Sequence, residues 1–146
     1  MQIEIKIDSA CAEPKVLIMT DRMTEEVNAL IRKLSEEKPR MLIGFADGSA
    51  RMLDPQNLQR VYASSGKVYA VENGREYLLR MRLYEAESRL DPERFVRISH
   101  SELINLKRAV SFDLRFSGTI CVTLDDGTVT YVSRRYVSKI RKTLGI

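Results

Sequence analysis

The chain opens with apolar and polar residues in strict alternation. Ile3, Ile5 and Ile7 are each separated by one polar residue, so their side chains share one face of an extended backbone, as in a half-buried β-strand. The apolar run KVLIM at positions 15–19 predicts a second strand. The N-terminus is therefore expected to contain two strands.

A helical pattern follows in the stretch TEEVNALIRKLSEE, residues 24–37. Thr24 is suited to cap this helix, and the two glutamates after it suit its first turn. Four apolar residues then recur at i, i+3, i+4 and i+7, which places them on one face: Val27, Leu30, Ile31 and Leu34. Pro39 is expected to end the helix.

The strands and helix predicted in residues 1–38 are too small to bury a hydrophobic core alone. This βα segment is therefore expected to pack on the remainder of the chain or on a second copy. We predict it to be an N-terminal extension with a dimerisation or regulatory role, and residues 39–146 to form the main domain.

Closely spaced turn signals divide the chain from residue 40 onward. The Asp-Gly pairs in ADGSA and DDGT, and the glycines in SSGK, ENGRE and FSGT, are typical of tight hairpin turns. Strands are predicted near residues 41–46, 49–53, 59–64, 68–72, 76–82, 95–98, 109–116, 119–124 and 128–132. Short helices are predicted at 83–90 and from a Ser133 cap to Gly145. The fold class is therefore mainly β (α+β), with a short βα segment in front.

Length and composition indicate one ordinary domain, or one domain with an extension, in 146 residues. The apolar runs are far shorter than a membrane span, and the alternating N-terminus does not resemble a signal peptide, so the chain is expected to be cytoplasmic. Cys11 and Cys121 lie far apart and match no metal or redox spacing. They are expected to be buried thiols.

Positive charge is concentrated at the C-terminal end. Residues 91–146 hold ten Lys or Arg and six Asp or Glu, whereas residues 1–40 have a net charge of −1. Positions 134–146 contain five cations and no acidic side chain. Most charge runs are solvated helix faces, but such faces usually mix both signs. A one-signed stripe favours a polyanion such as nucleic acid, ahead of an anionic membrane surface.

The residues that most enzymes need are sparse. His100 is the single histidine, no nucleophile is spaced to pair with it, and neither GxxxxGK[ST] nor GxGxxG occurs. Asp125 and Asp126 lie in a predicted hairpin turn, where a solvated role outweighs acid–base chemistry. We expect no catalytic site, no metal site and no cofactor.

The stretch DPERFVRISHSELINLKRAVSF, residues 91–112, resembles the core motif of LytTR-type DNA-binding domains. Phe95, Arg97, the triplet Ser99-His100-Ser101 and the pair Ile104-Asn105 occupy the family's motif places in order. The likeness continues through GTICVTLDDGTVTYVSRRYVSKIRKTLG to the C-terminus. Upstream, residues 54–90 are similar to the family's earlier strands and linking helix. The resemblance covers roughly residues 40–146.

The resemblance implies an elongated fold of small antiparallel sheets that places loops, not a recognition helix, in successive major grooves of DNA. Base-reading positions carried over from the family fall on Lys67, His100 and Arg135. The family's phosphate-contacting positions, together with cations of suitable placement, give Ser101, Tyr131, Ser133, Arg134, Lys139 and Lys142. The triplet here is Ser-His-Ser where relatives often have His-Arg-Ser, so the family's base preference is not transferred. Arg97 can brace the loop or touch DNA, and Asn105 is expected to satisfy local backbone groups.

The C-terminal helix supports this interpretation independently of the family. At about 100° per residue, Tyr136, Val137, Ile140 and Leu144 cluster on one side. Arg135, Lys139 and Lys142 line the opposite side. Cations at a helix start are unfavourable unless an anion compensates them, and DNA phosphate beside Arg134 and Ser133 is the candidate anion.

Many relatives carry a receiver domain of about 120 residues before this module, which 38 preceding residues cannot hold. We expect a sequence-specific transcriptional regulator that binds double-stranded promoter DNA with paired direct repeats as a homodimer. A separate inhibitor protein is a further expected partner, and family context is compatible with a membrane-bound one. The alternative is a protein-interaction module on a LytTR-like scaffold that has lost DNA binding.

Overall fold

The computed structural model describes residues 1–35 and 41–146. The chain divides into two units, Met1–Glu37 and Lys38–Ile146.

The first unit contains one helix, α1 (Glu25–Ser35). The Thr24 hydroxyl accepts a hydrogen bond from the Val27 amide at 3.2 Å, which confirms the predicted cap. The first turn is acidic and the last turn is basic, an arrangement that complements the helix dipole. The two final residues of the predicted helix, and Pro39 after it, lie outside the described residues.

The two strands predicted at the N-terminus are absent from the described residues 1–35. That prediction was wrong for this single chain, and the reason is physical: a strand needs a neighbouring backbone for its amides and carbonyls. The side chains of Ile3, Ile5 and Ile7 are 85%, 83% and 94% exposed. Helix α1 has no buried residue either, and Leu34 on its apolar stripe is 54% exposed.

The second unit is built from ten antiparallel strands. Those of the first sheet are β1 (Leu42–Ala46), β2 (Ser49–Leu53), β3 (Arg60–Ser64), β4 (Lys67–Glu72), β5 (Arg75–Leu79), β6 (Phe95–Ser99) and β7 (Glu102–Asn105). Those of the second sheet are β8 (Ala109–Asp113), β9 (Ile120–Leu124) and β10 (Val129–Val132). The strand orders are β2-β1-β5-β4-β3-β7-β6 and β10-β9-β8. The expected mainly β fold of small antiparallel sheets is confirmed.

Two helices and two short 3₁₀ turns complete this unit. Helix α2 (Leu83–Arg89) follows β5, and helix α3 (Arg134–Leu144) follows β10. Gly145 ends α3 in the left-handed conformation (φ 74°), where the predicted helix end lies. The 3₁₀ turns, Pro55–Asn57 and Leu106–Arg108, precede β3 and β8.

All nine strands predicted from residue 41 onward are present, with ends that differ by up to three residues. Strand β7 was not predicted. Its four residues show no apolar–polar alternation, because Leu103, Ile104 and Asn105 are all buried. Leu103 packs into the core of the first sheet and Ile104 into the core that includes the second sheet, so both faces of β7 are buried and periodicity gave no signal there.

Two hydrophobic cores lie in the second unit. One packs the first sheet against α2 and includes Leu42, Leu53, Leu79 and Leu103. The other packs β6, β7, the second sheet and α3, with Ile140 of α3 fully buried. Helix α3 is therefore docked by one face, as its sequence pattern predicted.

A buried polar junction connects the two sheets. The Gln59 side chain, fully buried, donates to Asp125 at 2.9 Å and to Asn73 at 3.2 Å, and it accepts from the Asn73 amide at 2.7 Å. Asp125 also forms an ion pair with Arg108 at 3.2 Å. The expectation that Asp125 is simply a solvated turn residue is therefore incomplete, since its carboxylate helps to join the sheets.

The cysteine prediction is corrected in part. Cys11 is exposed and Cys121 is partly buried, and both are free thiols. Cys11 lies in the first unit, where the described residues form no core that could bury it. No helix in the described residues combines the length and apolarity needed to cross a membrane.

Candidate nucleic-acid interface

Three segments from different parts of the sequence meet at one edge of the second unit. They are the tip of the β3–β4 hairpin (64–67), the β6–β7 loop (99–101) and the start of α3 (133–135). We call them together the loop edge. Two backbone hydrogen bonds hold them side by side: the Ala63 amide donates to the Ser101 carbonyl at 2.8 Å, and the Ser133 amide donates to the Ile98 carbonyl at 2.8 Å.

The β3–β4 hairpin presents Lys67. Ser64 and Lys67 face each other across a two-residue turn, and Ser65 and Gly66 in that turn both have positive φ, 51° and 76°. This geometry is that of a type I′ turn, which matches the twist of the flanking strands. Lys67 is exposed at the strand start, so the turn presents its ammonium group to solvent.

The β6–β7 loop presents His100 and Ser101, both exposed. The register of the β6–β7 pair shifts between Arg97 and Ser99, as in a β-bulge. The Ser99 hydroxyl accepts from the Ser101 amide at 3.2 Å. The Ser99 side chain thus helps to shape the loop, and the His100 imidazole has no protein partner within the described chain.

Arg97 braces this loop. Its Nη1 donates to the His100 carbonyl at 2.6 Å, and its Nε donates to Glu87 of α2 at 2.7 Å. Of the two roles left open for Arg97, the structure shows the bracing one. Sequence reasoning could not find Glu87, because ten residues and a change of element separate it from Arg97.

We expect Arg97→Met to weaken DNA binding by about 1 kcal/mol, roughly fivefold, because the His100 loop loses the hydrogen bond and ion pair that orient it. The methionine keeps much of the apolar stem of the arginine. Fluorescence anisotropy on a duplex containing the preferred site measures the effect. The matched variant Arg89→Met removes an exposed cation of α2 and should change affinity less; equal losses from both would contradict the bracing role.

The start of α3 presents Arg134 and Arg135, both exposed. Ser133 occupies the cap position, but its hydroxyl makes no capping hydrogen bond, so the predicted side-chain cap is corrected. Its backbone is anchored to β6 instead, through the bond to Ile98. Arg134 lies over the turn before β9, because a Cβ added to Gly118 would be 3.1 Å from the Arg134 Nε.

Helix α3 has opposed faces. Ile140 is buried, with Tyr136, Val137 and Leu144 packed beside it. Lys139 and Lys142 are exposed, and in the described residues no carboxylate forms an ion pair with any of the cations that α3 contains. Two arginines in the first turn without an acidic neighbour leave a positive potential, to which the helix dipole adds.

Tyr131 precedes the start of α3 by only a few residues. It is 55% exposed on β10 and forms an edge-to-face contact with Phe116, with ring centroids 6.1 Å apart. Its hydroxyl is therefore available near the loop edge, while its ring is held by packing. Lys139 and Lys142 lie further from this edge, along α3.

Asn105 is fully buried and bonded to backbone groups. Its Nδ2 donates to the Leu58 carbonyl at 2.9 Å, and its Oδ1 accepts from the Lys107 amide at 3.1 Å. The prediction that this residue satisfies local backbone groups is confirmed. Asn105 supports the site from within.

Two acidic groups behind the loop edge have defined environments. Glu102 accepts from Thr130 of the second sheet at 3.1 Å and from Arg60 at 3.4 Å. Burial raises the pKa of Glu102, and these two partners oppose that rise. Tyr62 donates a hydrogen bond to Glu76. Partial burial, and to a smaller extent this bond, raise the pKa of Tyr62 to about 12. Both groups are therefore held by protein hydrogen bonds near the edge.

A metal-assisted site finds no support in the described ranges 1–35 and 41–146, where no cluster of His, Cys, Asp and Glu is arranged to hold an ion. The chemistry that the loop edge does offer is hydrogen-bond donation and positive charge. Its exposed imidazole, ammonium, guanidinium and hydroxyl groups suit phosphates and the edges of bases.

Comparisons with known proteins identify relatives of this chain. An uncharacterised HTH-type transcriptional regulator of Staphylococcus aureus strain MSSA476 is 29% identical over 147 residues, which span 100% of this chain and 99% of the relative. A protein of the same description from strain MRSA252 is 28% identical over the same spans.

Among solved structures, the LytTr DNA-binding domain of a Bacillus cereus protein described as a methyl-accepting/DNA response regulator has a TM-score of 0.69 and 21% identity. The match covers 73% of this chain and 97% of that domain, and it shows a shared fold. The family model of the LytTr DNA-binding domain matches residues 48–145. Because that match spans most of the chain and contains the whole loop edge, this protein belongs to the LytTr DNA-binding domain family.

Proposed function

We propose that this protein is a transcriptional regulator that reads specific duplex DNA sites with its loop edge. The observation that carries the proposal is the pair of backbone hydrogen bonds that joins the three segments, Ala63 to Ser101 and Ser133 to Ile98. Because the three segments are joined in this way, their side chains can contact one ligand at the same time. Family membership and the transcriptional regulators among the relatives support a DNA ligand.

The base-reading groups in this proposal are Lys67, His100 and Arg135, one from each segment. Arg and Lys can donate to O6 and N7 of guanine in the major groove, and a histidine ring nitrogen can donate to a base acceptor there. All three side chains are exposed and free of protein ion pairs in the described residues. Loops are narrow enough to enter the groove without a helix.

Phosphate contacts in this proposal surround the reading groups. Hydroxyls of Ser101, Tyr131 and Ser133, and the cation of Arg134, lie on or next to the loop edge. Lys139 and Lys142 extend the contact along α3. Such contacts fix the register of a protein on the duplex but carry no sequence information directly.

The relatives are named HTH-type, but the described part of this chain does not show a helix-turn-helix. Strands separate α1, α2 and α3 from one another in sequence, so no two of them are joined by a short turn. A single helix with its N-terminus at the loop edge, and hairpin tips beside it, is the arrangement available for reading. This arrangement supports loop-based recognition.

We further propose that the protein binds paired direct-repeat sites as a homodimer, in which residues 1–38 are a separate extension and 39–146 the DNA-binding domain. A separate inhibitor protein stays a prediction. An interaction module without DNA binding is less consistent with α3, because its exposed cations lack acidic partners in the described chain.

Selection of bound sequences from a random duplex pool tests the function. A regulator of this kind enriches one motif, and repeated copies of it at fixed spacing indicate paired sites. Failure to enrich any motif would remove sequence-specific recognition. If a duplex with a single half-site is bound with the same sequence preference, one DNA-binding domain is sufficient for recognition.

The affinity for duplex DNA should fall steeply with salt. Each phosphate that is neutralised contributes about −0.9 to the slope of log affinity against log salt concentration, and the cations of the proposed interface suggest about four to six contacts. Titrations at several KCl concentrations give this slope. A slope near zero would exclude a phosphate-based interface.

A further inference from the structure

In the described residues of the N-terminal unit, a row of alternating isoleucines has no apolar partner. Ile3, Ile5 and Ile7 alternate as one face of a strand, yet each is more than four-fifths exposed. In the described N-terminal unit, the backbone bonds outside α1 begin at the turn in which the Cys11 amide donates to the Asp8 carbonyl at 3.1 Å. The amides and carbonyls of residues 1–7 are thus free to pair with another strand.

We propose that residues 2–8 pair in an antiparallel manner with residues 2–8 of a second copy of this chain. The pairing is symmetric about Ile5, so that the numbers of facing residues add up to ten. A two-fold axis then passes through the Ile5 pair, as an isologous dimer requires. The occupant of the exposed face is therefore the same face of the partner copy.

Charge complementarity selects this register. Glu4 of each copy faces Lys6 of the other, so two opposite-charge pairs lie on the polar face. Ile3 faces Ile7, and Ile5 faces Ile5, so all six isoleucines of the two copies share the other face. Side chains of facing residues in antiparallel strands lie close together, which makes both sets of contacts direct.

Neighbouring registers lose one of these two features. In the register in which the numbers of facing residues add up to eight, Glu4 faces Glu4. In the register in which they add up to twelve, Lys6 faces Lys6. Like charges in facing positions destabilise a strand pair. Odd sums set each isoleucine against a polar residue, and a parallel in-register pair sets every charge against itself. The sequence therefore fits one symmetric antiparallel register.

A two-stranded ribbon by itself is only marginally stable, so the dimer needs more apolar cover. Each copy supplies it: Val16, Leu17 and Met19 are exposed in the apolar run 15–19, and the stripe of α1 has no buried residue. The first of the two predicted N-terminal strands, which is absent from the described residues of the single chain, would form in the dimer. This inference goes beyond DNA recognition, because it does not depend on the loop edge.

Charge exchange within the strand tests the pairing. Glu4→Lys leaves four lysines facing one another in a homodimer, and Lys6→Glu leaves four glutamates. We expect each single variant to weaken the dimer on the order of tenfold, as measured by sedimentation of the full chain. The double variant Glu4→Lys/Lys6→Glu restores both pairs and should dimerise like the parent.

A mixture of the two single variants tests the register most directly. An equimolar mixture of the two single variants should form heterodimers, because each lysine then faces a glutamate. Native mass spectrometry distinguishes this heterodimer from both homodimers when one variant is isotope-labelled. Glu13→Lys, which makes the same charge change outside residues 2–8, is the matched control and should leave dimerisation unchanged.

Each other outcome overturns the proposal. A parent chain that is monomeric at tens of micromolar has no such dimer, and single variants that dimerise like the parent show that another surface is used. Weakening without restoration in the double variant or the mixture excludes this register. Binding to a single DNA half-site is measured alongside; its failure in the parent would count against the loop-edge function and not against the strand pair.

Discussion

Arg135→Ala should lower affinity for the preferred duplex by about 1 to 3 kcal/mol, roughly 5- to 150-fold, and flatten discrimination at one base pair. The reason is that a bidentate donor to guanine is lost from the loop edge. Arg135 is exposed at the first turn of α3, where the dipole and Arg134 raise the local positive potential. Anisotropy titrations with the preferred duplex and with single-base variants measure both effects.

Lys142→Ala is the matched control for this prediction. Lys142 is another exposed cation of the same helix but lies near its far end. Its removal should weaken all sequences about equally, if it has an effect, and reduce the salt slope by about one contact. If Arg135→Ala kept the parent's ratio of specific to random affinity, Arg135 would be a phosphate contact and not a reading group. Circular dichroism must show both variants folded.

Asn105→Ala should lower the free energy of unfolding by about 2 to 4 kcal/mol. The substitution leaves the Leu58 carbonyl and the Lys107 amide without their partners at a fully buried position, and such orphaned groups cost about 1 to 3 kcal/mol each. Urea unfolding followed by circular dichroism gives the value.

Gln56→Ala is the control for the Asn105 experiment. It removes a side-chain amide from the same neighbourhood, but Gln56 is exposed, so the change should stay within about 0.5 kcal/mol. A loss below that limit for Asn105→Ala would show that water replaces the amide at this position. Such a result would contradict the structural role assigned to Asn105.

Sequence patterns predicted most of the second unit because its turns are encoded locally. Asp47-Gly48 and Asn73-Gly74 both adopt the positive φ that tight hairpins need, and the strands between turns follow. Strand β7 was missed because burial on both of its faces removes alternation. Which strands pair, and that β7 lies between β3 and β6, depends on long-range contacts that local patterns do not contain.

The sequence was sufficient to locate the exposed residues of the candidate site, but not the residues that hold them in place. A motif resemblance located Lys67, His100 and Arg135, whose roles stay predictions. The partners that hold the site, such as Glu87 for Arg97 and Thr130 for Glu102, come from distant elements. The N-terminal strands illustrate the opposite case, because local apolar patterns predict them, yet in the described residues no strand pairs with them.

The loop edge is assembled through main-chain amides and carbonyls, at Ala63–Ser101 and Ser133–Ile98. Replacing a side chain leaves such bonds intact, unless the replacement is proline. The residues that would face the bases can therefore change in evolution with little loss of fold stability. Paralogous regulators built on this scaffold could acquire new operators by a few surface substitutions, and the same property makes the loop edge a suitable place for libraries that select altered DNA specificity.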